Sequence, residues 1–307
     1  MDWDAPYIEE LITAALGEDV GAGDATVAAI VSPTTSATAR IVALQDVVCA
    51  GLPFVERIFS RLDAEVCVEL QVMDGQKVAH DTNLATLNGN AGAILSGERT
   101  VLNVLSRLSG IATLTREYVD RIAGTGAKIR DTRVTTPGLR QIEQYAIQMG
   151  GGAHHHAGQF DAIVVTRAHV AAAGGVKAAL DQVHSHASRL MNPLALSAYE
   201  ATGTMPAEME CSSLPIQIEV GGEAELREAL SAGAESILLM EMTAHKTREL
   251  VEVARGLRSD CVIEFGGDIS VVDAIAYAET GVDYVAPRAL TAGAPWARLR
   301  LLVDAFQ

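Results

Sequence analysis

Residues 216–287 read IQIEVGGEAELREALSAGAESILLMEMTAHKTRELVEVARGLRSDCVIEFGGDISVVDAIAYAETGVDYVAP, and their pattern decides the fold. Four short apolar runs, IQIEV (216–220), SILLM (236–240), CVIEF (261–265) and YVAP (284–287), alternate with three segments of helical spacing. Apolar runs of this length are strands buried on both faces. A strand, a helix and another strand in succession make a parallel sheet covered by helices. Upstream, AKIRDT (127–132) and DAIVVT (161–166) add two strands, with helices at TPGLRQIEQYAIQMG (136–150) and VKAALDQVHSHASRL (176–190). Six such units predict closure into an α/β barrel. In a barrel the chemistry sits where the strands end. The positions to read are 131–135, 166–169, 219–222, 240–241, 264–268 and 287–293.

The N-terminal third has another pattern. YIEELITAAL (7–16) is helical, and residues 38–90 read as short alternating strands separated by turns such as DGQ and NGN. From about Ala93 a long helical stretch follows, with a break expected near Ser109-Gly110. The sequence therefore predicts an α/β chain with an N-terminal open sandwich domain over 1–110. An incomplete TIM-like barrel is expected over 111–290, and a helical tail over 291–307 that returns to the first domain. Residues 193–215 form a long insertion, read as a lid, a surface loop or an oligomer contact.

Composition narrows the function. The 307 residues hold 39 acidic and 23 basic side chains, a net charge of −16. That balance disfavours nucleic acid and anionic membranes, while a local basic pocket for an anionic ligand remains compatible with it. Cys49, Cys67, Cys211 and Cys261 are widely spaced, which argues against a structural zinc site or a disulfide framework. The acidic start MDWDAPYIEE has no apolar leader and no run of 18 apolar residues follows, so a cytoplasmic location is expected.

Several motifs occur in one order: GEDVGAGDAT (17–26), GERTVLNVLSRLSGIAT (97–113), DTRVTTPGLRQIEQYA (131–146), GGGAHHHAGQFDA (150–162) and TGVDYVAPRALT (280–291). Together they resemble the quinolinate phosphoribosyltransferases, also called nicotinate-nucleotide diphosphorylases (carboxylating), over nearly the whole chain. The resemblance implies condensation of quinolinate with phosphoribosyl pyrophosphate, using Mg2+, to give nicotinate mononucleotide, pyrophosphate and carbon dioxide. It also implies a homodimer or higher oligomer with active sites at the subunit interface. Such a site must neutralise a dicarboxylate and several phosphate charges with Arg and Lys. Residues that match the family pattern are Arg99 (donated across the dimer), Arg133 (carboxylate binding), His155, and the strand-end acids Glu219 and Glu264.

Other positions depart from it. Val134 and Thr166 stand where the pattern has lysines, and His156 where it has arginine. Met240 and Glu241 replace Asp-Asn, Gly221 replaces Asp, Asp268 and Arg288 replace phosphate-cradle glycines, and Ala292-Gly293 replace His-Ser. Three lost cations, at roughly 1.5–3 kcal/mol per charge-assisted hydrogen bond, predict weak or absent native activity if the losses add. Asp268 and Arg288 are expected to pair and plug the cradle.

The scaffold motifs stay coherent while the changes gather in one cavity. That reads as a pocket redirected, by divergence or design, toward a small aromatic ligand. Val134, Met240 and Phe265 would form an apolar wall beside Arg167, with Glu241 or His156 as the acid–base group and Glu219 in support. Two alternatives stay open: a functional quinolinate phosphoribosyltransferase that uses Arg99, Arg133, Arg167 and Arg288, and a non-catalytic binding homologue. The run His154-His155-His156 is a poor metal site, because adjacent side chains rarely face one ion. Cys211 has no evident base. Lys77, Lys128, Lys177 and Lys246 lie away from the strand ends, which disfavours Schiff-base chemistry.

Overall fold

A computed structural model describes residues 1–187 and 214–307. The expectations for Cys211 and for most of the 193–215 insertion lie outside the described residues. The chain divides into two units, 1–117 with 141–152 and 293–307, and 118–140 with 153–292.

The first unit opens with α1 (Pro6–Asp19) and α2 (Ala25–Ile30). Asp24 starts α2 by accepting the N–H groups of Thr26 and Val27 at 2.8 and 2.9 Å. Next come β1 (Ser36–Ala43), β2 (Val47–Val48), α3 (Pro53–Leu62), β3 (Cys67–Leu70), β4 (Lys77–Val78), β5 (Asn83–Asn90) and α4 (Ala91–Arg121). In α3, Phe54, Val55, Ile58 and Phe59 recur at helical spacing, and all four are buried. The break expected near Gly110 is absent, since α4 runs unbroken over 31 residues. The first compact unit runs through Glu117, inside this helix.

The end of the chain corrects a second expectation. Residues 299–306 form a strand, not a helix, and add to β1 in antiparallel register, Arg40 opposite Leu302. Arg40 and Asp304 form a two-pronged ion pair on this ladder at 2.7 Å. Cross-strand pairing satisfies a backbone that eight residues of lone helix would leave partly open.

The second unit holds the parallel sheet. Its strands are β6 (Lys128–Ile129), β7 (Ile163–Val165), β8 (Ile216–Val220), β9 (Ser236–Met240), β10 (Val262–Gly267) and β11 (Tyr284–Pro287), hydrogen-bonded in the order β6-β11-β10-β9-β8-β7. Between β6 and β7 in sequence lies α5 (Arg140–Met149), most of which belongs to the first unit, where Glu143 meets Arg107 at 2.6 Å. The described covering helices are α6 (Arg167–Ala173), α7 (Val176–Ala187), α8 (Glu223–Ser231), α9 (Ala244–Leu257), α10 (Ala274–Ala278) and α11 (Ala289–Ala292); β12 (Leu299–Phe306) is the returning strand. The sheet stays open between β6 and β7, where one parallel bridge, Arg130 to Ala153, continues the β6 edge. This is the expected incomplete barrel.

Side chains alternate along these strands, as the pleat requires. Ile218, Ile237, Ile263, Phe265 and Val285 are buried on one face. Gln217, Leu238, Glu264 and Ala286 occupy the other and line the barrel interior. No described helix is long and apolar enough to cross a membrane.

Candidate active site

The C-terminal ends of the strands enclose a cavity of about 450 Å3. Its wall shows the two-residue period of the pleat: Val164 and Thr166, Gln217 and Glu219, Leu238 and Met240, Glu264 and Gly266, Ala286 and Arg288. The loop after β6 contributes Asp131, Thr132, Arg133, Val134 and Arg140, and the segment before β7 contributes His155 and Gln159.

Eight expected residues therefore meet here: Arg133, Val134, His155, Thr166, Glu219, Met240, Glu264 and Arg288. Six do not line the cavity, most of them for reasons of strand parity. Phe265 is one residue out of step with Glu264 and is 3% exposed, and its ring stacks on Tyr277 of α10 with centroids 4.1 Å apart. Glu241 follows β9, is exposed, and turns the chain through a φ of 55°. Arg167 is exposed in the first turn of α6, facing a shallow hollow with Val170, Ala171, Gly175 and Glu225. Arg99 is an exposed residue of α4 in the first unit.

His156 touches His155, with ring centroids 3.8 Å apart, but does not reach the cavity that His155 lines. It is 8% exposed and lines a smaller cavity among the first residues of the strands, at the opposite end of the barrel. The acid–base pair expected of Glu241 and His156 is thus not assembled in the cavity. Asp268 does pair with Arg288, whose Nε lies 3.1 Å from Asp268 Oδ1. The carboxylate nevertheless stays exposed and outside the wall, so it orients Arg288 without filling the cradle.

Three polar residues, Arg140, Gln217 and Arg130, escaped the sequence reading, and a fourth, Asp131, stood among the positions read but carried no role. Arg140, in a motif read as scaffold, lines the cavity, bonds Thr135 Oγ1 and donates to Ala157 O, each at 3.1 Å. Gln217 was available from the period-two rule, two residues before Glu219. Asp131 is 1% exposed, and neither carboxylate oxygen has a hydrogen bond among the described residues. Arg130 lies under the cavity and carried no visible signal in a short strand.

The electrostatics centre on Glu264, which is 3% exposed. Its Oε2 accepts from Arg130 Nη1 at 2.9 Å and Gln217 Nε2 at 3.2 Å, and lies 3.4 Å from His155 Nε2. Burial pushes this carboxyl upward. His155, the Arg130 charge and the Gln217 bond outweigh it, so the group ends below its ordinary range. Glu219 accepts the N–H of Arg167 at 3.3 Å, placing a carboxylate at the start of α6. The three histidines have separate surroundings. The contact with Asp131, 3.6 Å away, raises His154, whereas burial and then the neighbouring His155 and Arg130 lower His156 to about 4.

These directions give a pH expectation. His156 takes up a proton near 6.5 when unfolded but only near 4 when folded. Its contribution is complete above 6.5 and is lost as the pH falls toward 4, by up to about 3 kcal/mol. Glu264 acts in the same direction, since its lowered folded value means stability is lost as pH falls through it. His154 acts oppositely but is 42% exposed, so water weakens its term. Thermal scans should show Tm falling between pH 7 and pH 4.5, with a shallower fall in His156→Gln. An equal slope in the variant contradicts the assignment.

The comparisons agree with this architecture. The family profile of the quinolinate phosphoribosyl transferase N-terminal domain matches residues 24–109, and that of the C-terminal domain matches 111–210 and 197–301. The chain is 35% identical over 288 residues to the nicotinate-nucleotide pyrophosphorylase (carboxylating) of Mycobacterium leprae, covering 92% of each chain. It is also 35% identical over 288 residues to a Synechocystis protein named "Probable nicotinate-nucleotide pyrophosphorylase (carboxylating)", covering 94% of this chain and 90% of that one. The crystal structure of NadC from Streptococcus pyogenes superposes with a TM-score of 0.83 at 29% identity, covering 99% of this chain and 98% of that one. Fold, order of motifs and relatives converge: the chain belongs to the quinolinate phosphoribosyltransferase family.

Proposed function

We propose that this protein transfers a phosphoribosyl group to quinolinate, forming nicotinate mononucleotide with release of pyrophosphate and carbon dioxide. The supporting observation is the cation set of the cavity, Arg133, Arg140 and Arg288, gathered with His155 around one space of about 450 Å3. The expected charge deficit assumed that nothing replaced the missing lysines. Arg288, where the family pattern has glycine, brings a guanidinium to the wall, and Asp268 orients it.

In this reading Arg133 and His155 hold the pyridine carboxylates, and Arg140 and Arg288 hold phosphate. Glu219 faces the positive charge that develops on the ribose as pyrophosphate leaves. Val164, Leu238 and Ala286 cover the apolar faces of ring and sugar. The donor chemistry also fits Mg2+, which takes only one or two protein carboxylates with substrate phosphates and water. Glu264 is engaged by Arg130 and Gln217, whereas Glu219 takes a single hydrogen bond among the described residues. Glu219 would therefore hold the ion, which would neutralise the departing pyrophosphate.

Glu219→Gln is expected to lower kcat about 100-fold, the scale for losing one electrostatic contact to the transition state, while calorimetric quinolinate affinity changes little. Unchanged kcat removes Glu219 from the chemistry.

A second reading rests on Val134 and Met240, two uncharged side chains on the wall where the family pattern has Lys and Asp. Such a wall suits an aromatic acceptor with fewer carboxylates. Calorimetry with quinolinate and with nicotinate decides between them. Tighter quinolinate binding supports the first reading, and tighter nicotinate binding the second.

A further inference from the structure

The barrel interior has a second, lower layer. Ser236, Val262 and Tyr284, the first residues of β9, β10 and β11, line a cavity of about 200 Å3 with Arg130 and His156. Gln217 borders both this space and the upper cavity. Arg130 spans the boundary. Its Nη1 donates to Glu264 Oε2 at 2.9 Å, its Nε donates to His154 O at 3.3 Å, and its guanidinium carbon lies 4.4 Å from the centroid of the Tyr284 ring.

We propose that Arg130 is a positioning residue for the upper cavity: it keeps Glu264 ionised, and Glu264 in turn fixes the His155 imidazole toward the ligand. The inference rests on the reading of that cavity as a pyridine carboxylate site.

A carboxylate as buried as Glu264 keeps its charge only beside a cation; alone it takes up a proton and loses its hold on a neighbouring imidazole. Arg130 is the arginine or lysine in contact with Glu264 among the described residues. His156, in the lower cavity with Arg130, supplies no substitute, because at about 4 it is neutral near pH 7. Both ring nitrogens of His155 are buried without a hydrogen-bond partner among the described residues; Nε2 faces Glu264 Oε2 at 3.4 Å, which leaves Nδ1 for the ligand. The Tyr284 ring packs against the planar guanidinium, a contact that lysine reproduces only in charge.

The test uses Arg130→Met, Arg130→Lys and Arg130→Met combined with Glu264→Gln. Arg130→Met should raise KM for quinolinate roughly 10- to 100-fold, the range known for groups that orient a metal-binding residue, with kcat much less affected. Arg130→Lys should recover most of that loss. Carboxyl NMR should show Glu264 titrating higher in Arg130→Met and near its wild-type position in Arg130→Lys. The double variant should cost no more than Glu264→Gln alone, because Arg130 acts through Glu264. If Arg130→Met fails to fold for want of a counter-charge, the Lys and double variants carry the same comparison. An unmoved Glu264 titration, or additive losses in the double variant, overturns the proposal. Absence of quinolinate turnover in the wild type would instead reject the functional reading, and the carboxyl titration would still decide the role of Arg130.

Discussion

Arg133→Met is expected to lower kcat/KM for quinolinate about 100- to 1000-fold while leaving Tm almost unchanged, because two charge-assisted hydrogen bonds at about 1.5–3 kcal/mol each are lost from the complex and none from the fold. The asymmetry follows from the surroundings. Arg133 lines the cavity and makes no hydrogen bond or ion pair among the described residues. Arg140, by contrast, also ties its own loop to Thr135 and to Ala157 O. Arg133→Lys should recover only part of the activity, since an ammonium cannot grip a carboxylate with two parallel bonds. Steady-state kinetics and a thermal scan on the same samples check both halves. A variant within fivefold of wild type contradicts the assignment of Arg133, and a large drop in Tm assigns it a structural role.

The second large effect concerns the fold. Gly110→Ala should destabilise the protein by about 3 kcal/mol, at the upper end of ordinary overpacking costs. A Cβ at this position would lie 2.0 Å from the carbonyl oxygen of Pro295 and 3.2 Å from the nitrogen of Ala297. Both obstacles are backbone, and Ala297 N–H is itself bonded to Ser106 O at 2.8 Å, so the segment has little freedom to retreat. At about 2–4 °C per kcal/mol for units of this size, Tm should fall by roughly 10 °C. Gly17→Ala is the control: it lies in α1, where an added methyl would meet nothing within 4 Å, and should be neutral or slightly stabilising. Equal Tm values for the two variants would show that the approach of Pro295 is not a constraint.

Gly110 also shows what the sequence conceals. A glycine inside a helical pattern signals a break or a close approach, and local spacing does not distinguish them. The partner, Pro295, is 185 positions away by number, and only the fold brings it near. The barrel was legible because its signal is local: each strand is a short apolar run, and each is followed by a helical period. The end of the chain was not, because eight residues such as LRLLVDAF satisfy either period weakly, and pairing with β1 decides the outcome.

The site divides along a similar line. Strand ends told where the chemistry lies, and period two told which side chains face inward. Applied strictly, that rule places Glu264 in the cavity and Phe265 behind it, and adds Gln217 to Glu219. Reading every polar residue near a strand end as a site residue brought in Glu241 and Arg167, whose side chains leave the barrel. His156 was misplaced for the same reason, as it is one residue out of step with His155. Arg130 was beyond the sequence, since its importance depends on Glu264, 134 positions away.

The most direct test of the central claim is a steady-state assay of nicotinate mononucleotide formation from quinolinate, phosphoribosyl pyrophosphate and Mg2+. Val134→Lys/Thr166→Lys serves as the comparison. The proposed function predicts saturable turnover by the wild-type protein, with the double variant changing kcat/KM by less than about tenfold, since Arg133, Arg140 and Arg288 already supply the charge. A wild-type protein without turnover, together with a lysine variant that gains it, would contradict the account and show that the arginines of the cavity do not replace the missing cations.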